Sequence, residues 1–372
     1  MRIGIDARFY NESGVGRYLR NLIKKLSVLD SRNEYFIFFL PKDLTQFIAS
    51  KNFQKVAADF TWYGFAEQFK FPKLLAKLKL DLMHFPHFNV PIFYKGKFVV
   101  TIHDLIHQHH QMKRATTLNS FTFKIKQIGY KKVFKHAVTN SCKIMVPSNS
   151  VKQLLVGEWQ VAANKIIVTP EAVDDKIMSL SESIKEPKGK RILNKFKIGQ
   201  RYIFYVGNAH PHKNVEGLIK AFGKLRQKYP SLSLVLSGGD HYFWERIKKE
   251  YRLLGITYTG SINDEELVAL YKNAELFVLP SFEEGFGLPI LEAMACGCPV
   301  VTSNTASLPE VGGDAVVYFD PQDIDNMANK ISKVLENVDL RDQLIESGKK
   351  RYKKYSWEKL ANQTLEVYSK CA

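Results

Sequence analysis

Short, unbroken apolar runs followed by helix-length amphipathic stretches recur along almost the whole chain, and this alternation leaves few folds open. The runs lie at residues 3–6, 35–40, 82–85, 98–102, 144–146 and 166–168. A strand with one wet face alternates apolar and polar residues, whereas a strand covered on both faces reads as continuous. Continuous runs separated by helical patterns therefore predict a parallel sheet with crossover helices. A second series starts at Tyr202 with YIFYVG, continues through LSLVLSGG, GITYTG and ELFVLP, and closes with CPVVTS. At 372 residues the chain is too long for one ordinary core, so each series predicts its own domain. The expected class is α/β, with two doubly wound domains facing each other across a cleft. The first spans 1–173 and the second 200–356. The segment 174–199, polar and lysine-rich with Pro187 and Gly189, reads as an interdomain linker. Residues 357–372 read as a helix packing back on the first domain. Ligands of such folds sit beyond the carboxyl ends of the strands, which places the expected site in the cleft.

Composition removes several classes of function. Hydrophobic residues make up 45% and charged residues 24%, the balance of a globular chain. No uncharged apolar run is long enough to span a bilayer, and Met1 leads directly into RIGIDARFY without a signal-like segment. The expectation is a cytoplasmic protein. Cys142, Cys296, Cys298 and Cys371 have neither the number nor the spacing of a disulfide framework or a zinc site. Cys296 and Cys298 read as small buried residues. The net charge of +17 is concentrated: no Asp or Glu lies between Asp104 and Glu158, a stretch holding Lys113, Arg114, Lys124, Lys126, Lys131, Lys132, Lys135, Lys143 and Lys152. There Leu118, Phe121, Ile125 and Ile128 recur at helical spacing. Such a helix, within 113–143, suits the anionic inner face of a membrane or a phosphate-bearing acceptor, and equally suits a solvated surface.

The most specific chemistry lies at 281–301, SFEEGFGLPILEAMACGCPVV. A strand gives way to a turn, Gly285, Phe286, Gly287 and Leu288, then to a helix over 288–295, with Glu284 and Glu292 bracketing the turn. Backbone amides at a helix start attract a diphosphate. The two glutamates repel phosphate but accept hydrogen bonds from hydroxyls. Amides for phosphate and carboxylates for hydroxyls together fit a nucleotide-sugar. In YVGNAHPHKN, Lys213 precedes a helix start and offers a cation to the same diphosphate. Gly238, in the SGG after the next strand, opens the backbone to a base or phosphate. Gly14 and Gly16 sit in a glycine loop opening a helix, but Leu19 stands where a dinucleotide fingerprint needs a small residue, which disfavours nicotinamide and flavin. His103 and Asp104 end the strand KFVVTIHD, a histidine able to exchange a proton with a sugar hydroxyl, positioned by Asp104. His84, His87, His107, His109 and His110 lack a completing carboxylate or thiolate cluster, so no metal is assigned. Asp323 and Asp325 have metal-site spacing but fall at a helix start, where Asp caps.

These segments resemble the family-four, group 1 retaining glycosyltransferases of the GT-B fold. The likeness rests on EGFGLPILEAMACGCPVV, SGVGRY, TIHDLIH, YVGNAHPHKN and GSINDEELVALYKNAELFVLPS, in the family's order over nearly the whole chain. It implies two Rossmann-like domains, the donor held by the second and the acceptor by the first. It also implies retention at the anomeric carbon. Glu284 would contact the donor sugar and Glu292 the ribose, with Lys213 on the diphosphate, Gly14 and Gly16 near diphosphate and acceptor, and His103 at the reacting centre. The family carries a basic residue near Asn208; here its part is left to Arg17 or His212. TIHDLIH and HKN look most like mannosyltransferases of bacterial surface-polysaccharide assembly, favouring GDP-mannose, with a UDP-sugar the other donor, and a glycan or lipid-linked acceptor. No cofactor and no nucleic acid partner is expected. Two rivals stand beside this reading: another GT-B enzyme, such as a phosphorylase or UDP-sugar epimerase, and a non-catalytic polyanion-binding protein.

Overall fold

The computed structural model describes residues 1–12, 14–47, 50–109, 120–199, 201–239, 242–251 and 253–371, with the backbone alone for 120–126 and 187. The chain forms two compact units, Met1–Glu171 with Trp357–Ala372, and Ala172–Ser356. Among the described residues the first unit holds β1 (Arg2–Asp6), β2 (Glu34–Phe39), β3 (Phe53–Ala57), β4 (Leu82–Phe85), β5 (Phe98–Thr101), β6 (Ile144–Val146) and β7 (Ile166–Val168). They form one sheet in the order β3-β2-β1-β4-β5-β6-β7, every pair parallel. The second unit holds β8 (Tyr202–Val206), β9 (Ser233–Ser237), β10 (Ile256–Gly260), β11 (Leu276–Leu279), β12 (Val300–Ser303) and β13 (Val317–Phe319), in the order β10-β9-β8-β11-β12-β13, again all parallel. In each sheet the winding reverses between two central neighbours, β1 and β4 in one and β8 and β11 in the other. A crevice opens there because the loops leaving the two strands run to opposite faces.

β3 and β13 were not among the predicted strands. Both are sheet edges. In FQKVA only Phe53 is fully buried, and β13 is three residues long, so neither shows the continuous apolar run of a central strand. The lysine-rich segment 174–199 is not an open linker. It folds into the helices Asp175–Ser183 and Glu186–Lys195, which pack on Asp264–Asn273 within the second unit. The acidic first turn of that helix receives the lysines: Lys176 on Asp264 at 2.7 Å, Lys188 on Glu265 at 2.9 Å, and Lys195 on Glu266. A polar composition looked like a connection because its partners lie about seventy residues or more away.

The cysteine reading needs one correction. Cys142 and Cys371 form a disulfide, with 5.8 Å between Cα atoms. Cys371 sits in the last turn of the helix Trp357–Cys371, which belongs to the first unit, and Cys142 lies just before β6. The pair is 229 residues apart in sequence, and only the docking of that helix brings them together. Cys296 and Cys298 are free and buried, and burial pushes the Cys296 thiol up to about 12, an unreactive value.

The basic stretch contains the helix Ser120–Asn140. Lys113, Arg114 and Leu118 lie outside the described residues, as do the side chains of Phe121, Lys124, Ile125 and Lys126. Where side chains are described, Phe134, Ala137 and Val138 face the core, Phe134 against Trp159 and Phe88, while Ile128, Lys131, Lys132 and Lys135 are exposed. Among the described residues no helix is long and apolar enough to cross a membrane.

Candidate active site

In the second unit two loops leave the neighbouring strands β8 and β11. The first runs through Asn208 to the turn Pro211–Lys213, then reverses at Asn214, which takes a left-handed conformation (φ 52°) before the helix Val215–Lys228. Asn214 tolerates that backbone, and its side-chain amide donates to the Pro321 carbonyl at 2.9 Å. The second loop carries Glu284. Its amide at Phe282 donates to the His212 carbonyl at 2.8 Å, which joins the two loops.

Lys213 and Glu284 meet at this junction. The Lys213 ammonium donates to both Glu284 oxygens, at 2.7 and 2.8 Å, and the Ser281 hydroxyl adds a third bond at 2.6 Å. Glu284 is 8% exposed, so the pair is largely withdrawn from water. The Ser307 hydroxyl lies 2.9 Å from the Glu284 carbonyl and 2.8 Å from that of Phe286, fixing the backbone of the turn. Gly287 has φ 101°, a conformation that strains any side chain, and a Cβ there would come within 2.7 Å of Leu308. The helix Leu288–Ala295 starts directly after it and carries Glu292, 3% exposed, whose carboxylate accepts from Tyr271 at 3.4 Å. The two glutamates thus have separate supports, one on a cation and one on a phenol. Tyr205 completes the floor: its hydroxyl donates to the Asn208 carbonyl at 2.7 Å, and burial together with the Glu284 charge raises its pKa.

Gly238 serves a different end from the one expected. A Cβ there would lie 2.1 Å from the Gly207 carbonyl and 2.3 Å from the Trp244 indole nitrogen. The backbone that approaches it is the chain's own. Gly16 behaves likewise, a Cβ falling 2.6 Å from the Tyr10 carbonyl, whereas Gly14 is open. His212 is buried with its ring stacked on His210, and Arg17 belongs to the first unit, half-buried at the start of the helix Gly14–Leu29. Asp323 caps the helix Ile324–Glu336 by accepting from the Asn326 amide, and Asp325 pairs with Lys224.

In the first unit His103 follows β5, but Asp104 does not position it. Asp104 accepts from the Ile106 amide at 3.0 Å, a local turn. The partner of His103 is Glu171, which lies just beyond β7: Nδ1 is 3.0 Å from its Oε1, and Nε2 is 3.0 Å from the Pro86 carbonyl. Burial lowers the imidazole pKa, and the contacts with Glu171, the Asp104 charge and the Pro86 carbonyl overcome it, so the net direction is up. His84, on β4, goes the other way. Its nitrogens contact the Tyr368 hydroxyl at 2.7 Å and Thr101 at 2.8 Å, and burial and the His103 charge lower it to about 3. Tyr18 links the two histidines, its hydroxyl 3.0 Å from Thr101 and its ring edge-on to His103 at 4.9 Å. His109 pairs with Glu158 at 2.9 Å, and His110 lies outside the described residues. Among the described residues no three His, Cys, Asp or Glu side chains gather as metal ligands.

Glu171, Ser281 and Ser307 were not singled out from sequence. Glu171 had a signal, a carboxylate just past a predicted strand; the serines had none, since a hydroxyl that supports a carboxylate looks like any loop serine.

Two parallel doubly wound units with polar clusters at the carboxyl ends of the central strands are the GT-B architecture of glycosyltransferases. The model for glycosyl transferases group 1 matches residues 190–351, and that for Glycosyltransferase Family 4 matches residues 13–176. The O-antigen chain mannosyltransferase B of Escherichia coli is 31% identical over 96% of this chain and 96% of its own length. Among solved structures, a sucrose-phosphate synthase from Thermosynechococcus elongatus shares the fold with a TM-score of 0.76 at 21% identity, over 99% of this chain and 98% of the other. Anabaena HepE, solved with UDP and glucose, shares it at 0.73 and 16% identity, over 99% of each chain. This chain belongs to the group 1, family-four glycosyltransferases.

Proposed function

We propose that this glycosyltransferase moves a hexosyl group, mannose by preference, from a nucleoside diphosphate sugar to a hydroxyl of a glycan or lipid-linked acceptor in cell-surface polysaccharide synthesis. The observation that carries the reading is the Lys213–Glu284 pair at the left-handed turn that opens the helix Leu288–Ala295. When the anomeric bond breaks, negative charge grows on the leaving diphosphate. The Lys213 ammonium and the positive end of the helix Leu288–Ala295 supply positive charge there, the part a metal plays in other transferases. Glu284, bonded to the same ammonium, accepts hydrogen bonds from the donor sugar's hydroxyls, and Glu292 accepts those of the ribose.

Retention follows if the acceptor attacks the face the diphosphate leaves, a leaving phosphate oxygen taking the acceptor's proton, with no covalent enzyme intermediate. His103, its Nδ1 held by Glu171, hydrogen-bonds the reacting sugar through Nε2 in exchange for the Pro86 carbonyl. The name of the Escherichia coli relative favours mannose as the transferred sugar, with GDP-mannose as the expected donor, and a UDP-sugar is the alternative suggested by HepE. The exposed Lys131, Lys132 and Lys135 support a peripheral contact with an anionic membrane carrying the acceptor.

Incubation with radiolabelled GDP- and UDP-sugars tests the reading. Transfer or slow hydrolysis of one donor supports it, and Glu292→Gln should raise the Kd of that donor's nucleotide about tenfold, the loss of a hydrogen bond to a charged group. Phosphate-dependent release of sugar phosphate would indicate a phosphorylase instead. Nucleic acid binding with a steep salt dependence and no donor binding would indicate a polyanion-binding protein.

A further inference from the structure

A wholly buried ionic network in the first unit has no part in the chemistry above. Arg8, directly after β1, donates to Asp6 at 2.8 and 2.7 Å and to Glu67 at 2.7 Å, and its remaining terminal nitrogen bonds the Phe60 carbonyl at 2.9 Å. Glu67 also accepts two bonds from the Asn89 amide, at 2.7 and 2.8 Å, and one from the Tyr63 backbone amide at 2.8 Å. Burying such charges costs several kcal/mol each, so a network of this kind is a poor device for stability. What it does here is hold three loops in one geometry: the one after β1, the one after β4, and residues 58–64 ahead of the helix Phe65–Lys77.

The held loops present aromatic rings. Trp62 stacks on Phe9 with centroids 4.5 Å apart, Phe9 lies 5.1 Å from the His87 ring, and Tyr63 stands edge-on to His87 at 6.3 Å. Tyr63 is 61% exposed and has φ 64°, a left-handed backbone that a tyrosine adopts only when its surroundings enforce it. The Glu67 bond to its amide is the enforcement. Burial and the charges of His103 and His107 lower His87 to about 3, leaving a neutral imidazole whose Nδ1 accepts from the Asn89 amide at 3.3 Å and whose Nε2 donates. The result is an aromatic wall with a neutral imidazole, next to His103 and Asp104.

That chemistry selects its ligand. Aromatic faces are electron-rich and attract the C–H face of a pyranose, while the imidazole and Asp104 meet its hydroxyls. The Asp104 charge disfavours an anion. We infer that Trp62, Tyr63 and His87 form the platform on which a neutral sugar ring of the glycan acceptor lies beside His103. This rests on the transferase reading for its purpose, though not for its test.

The test is saturation-transfer NMR with mannotriose and maltotriose, without donor. At least one should receive saturation on the C–H protons of one ring. Trp62→Ala and Tyr63→Ala should weaken its binding at least tenfold, while Phe65→Ala, which removes an 89% exposed ring outside the stack, should leave it unchanged. Tyr63→Gly separates recognition from folding: it relieves the left-handed backbone, so the melting temperature should hold or rise while sugar binding is lost. Binding of neither trisaccharide, or equal binding by all variants, overturns the inference. So does a loss confined to sedimentation with phosphatidylglycerol vesicles, which would make the wall a membrane contact. If sugar binds as described but no nucleotide-sugar is used, the transferase reading fails and the platform stands.

Discussion

The two units hold their key carboxylates in opposite ways. Glu284 is tied to the Lys213 ammonium, and both side chains come from loops on neighbouring strands. Glu171 is tied to His103, whose charge depends on pH, and that histidine is reached through Tyr18 and Thr101 by His84 and by Tyr368 of the C-terminal helix. The contrast teaches where sensitivity lies. The Lys213–Glu284 pair joins two loops of one sheet, whereas the His103–Glu171 pair is tunable by protons and by the docking of a distant helix.

The contrast breaks most clearly at Glu284. Glu284→Gln removes the charge facing Lys213 while keeping the shape, and turnover should fall by about 10²-fold or more with little change in melting temperature. Loss of less than a few-fold in kcat would end its assigned part. A large effect on stability is expected on the other side. Cys142→Ser frees the last turn of the C-terminal helix and should cost the first unit about 2–4 kcal/mol, read as a lowered first unfolding transition. An unchanged transition, with free thiols found by intact mass in the native protein, would show that packing alone docks the helix.

The pH dependence sharpens the comparison. His103 lies above its ordinary value, so the Glu171 contact stabilises fully below about pH 6.5 and fades as pH rises through the folded value. Glu171→Gln leaves burial dominant, and the His103 pKa followed by NMR should drop below about 6.5. His84 has the opposite sign: neutral when folded down to about 3, it makes the protein less stable as pH falls below the unfolded value. The smallest effect is on the surface. Replacing Lys131, Lys132 and Lys135 with Gln should weaken binding to anionic vesicles by about 1 kcal/mol per lysine, measured by sedimentation, with activity on a water-soluble acceptor retained. Unchanged partitioning would return that helix to a solvated surface.

The sequence by itself determined most of the parallel strands, their order along the chain and the glycine turn at 285–287. A buried parallel strand must be continuously apolar, and a left-handed residue at a helix start favours glycine, so β8, β11 and Gly287 are each legible from a few neighbouring residues. Tertiary structure alone decided the rest. It gave Lys213 to Glu284 across 71 residues, replaced Asp104 by Glu171 as the partner of His103, and joined Cys142 to Cys371. It also turned the apparent linker 174–199 into two helices paired with an acidic turn. The physical reason is the same in each case: periodicity and turn chemistry act over a few residues, whereas a charge, an imidazole or a thiol takes whichever partner the packed strands and helices bring within about 3 Å.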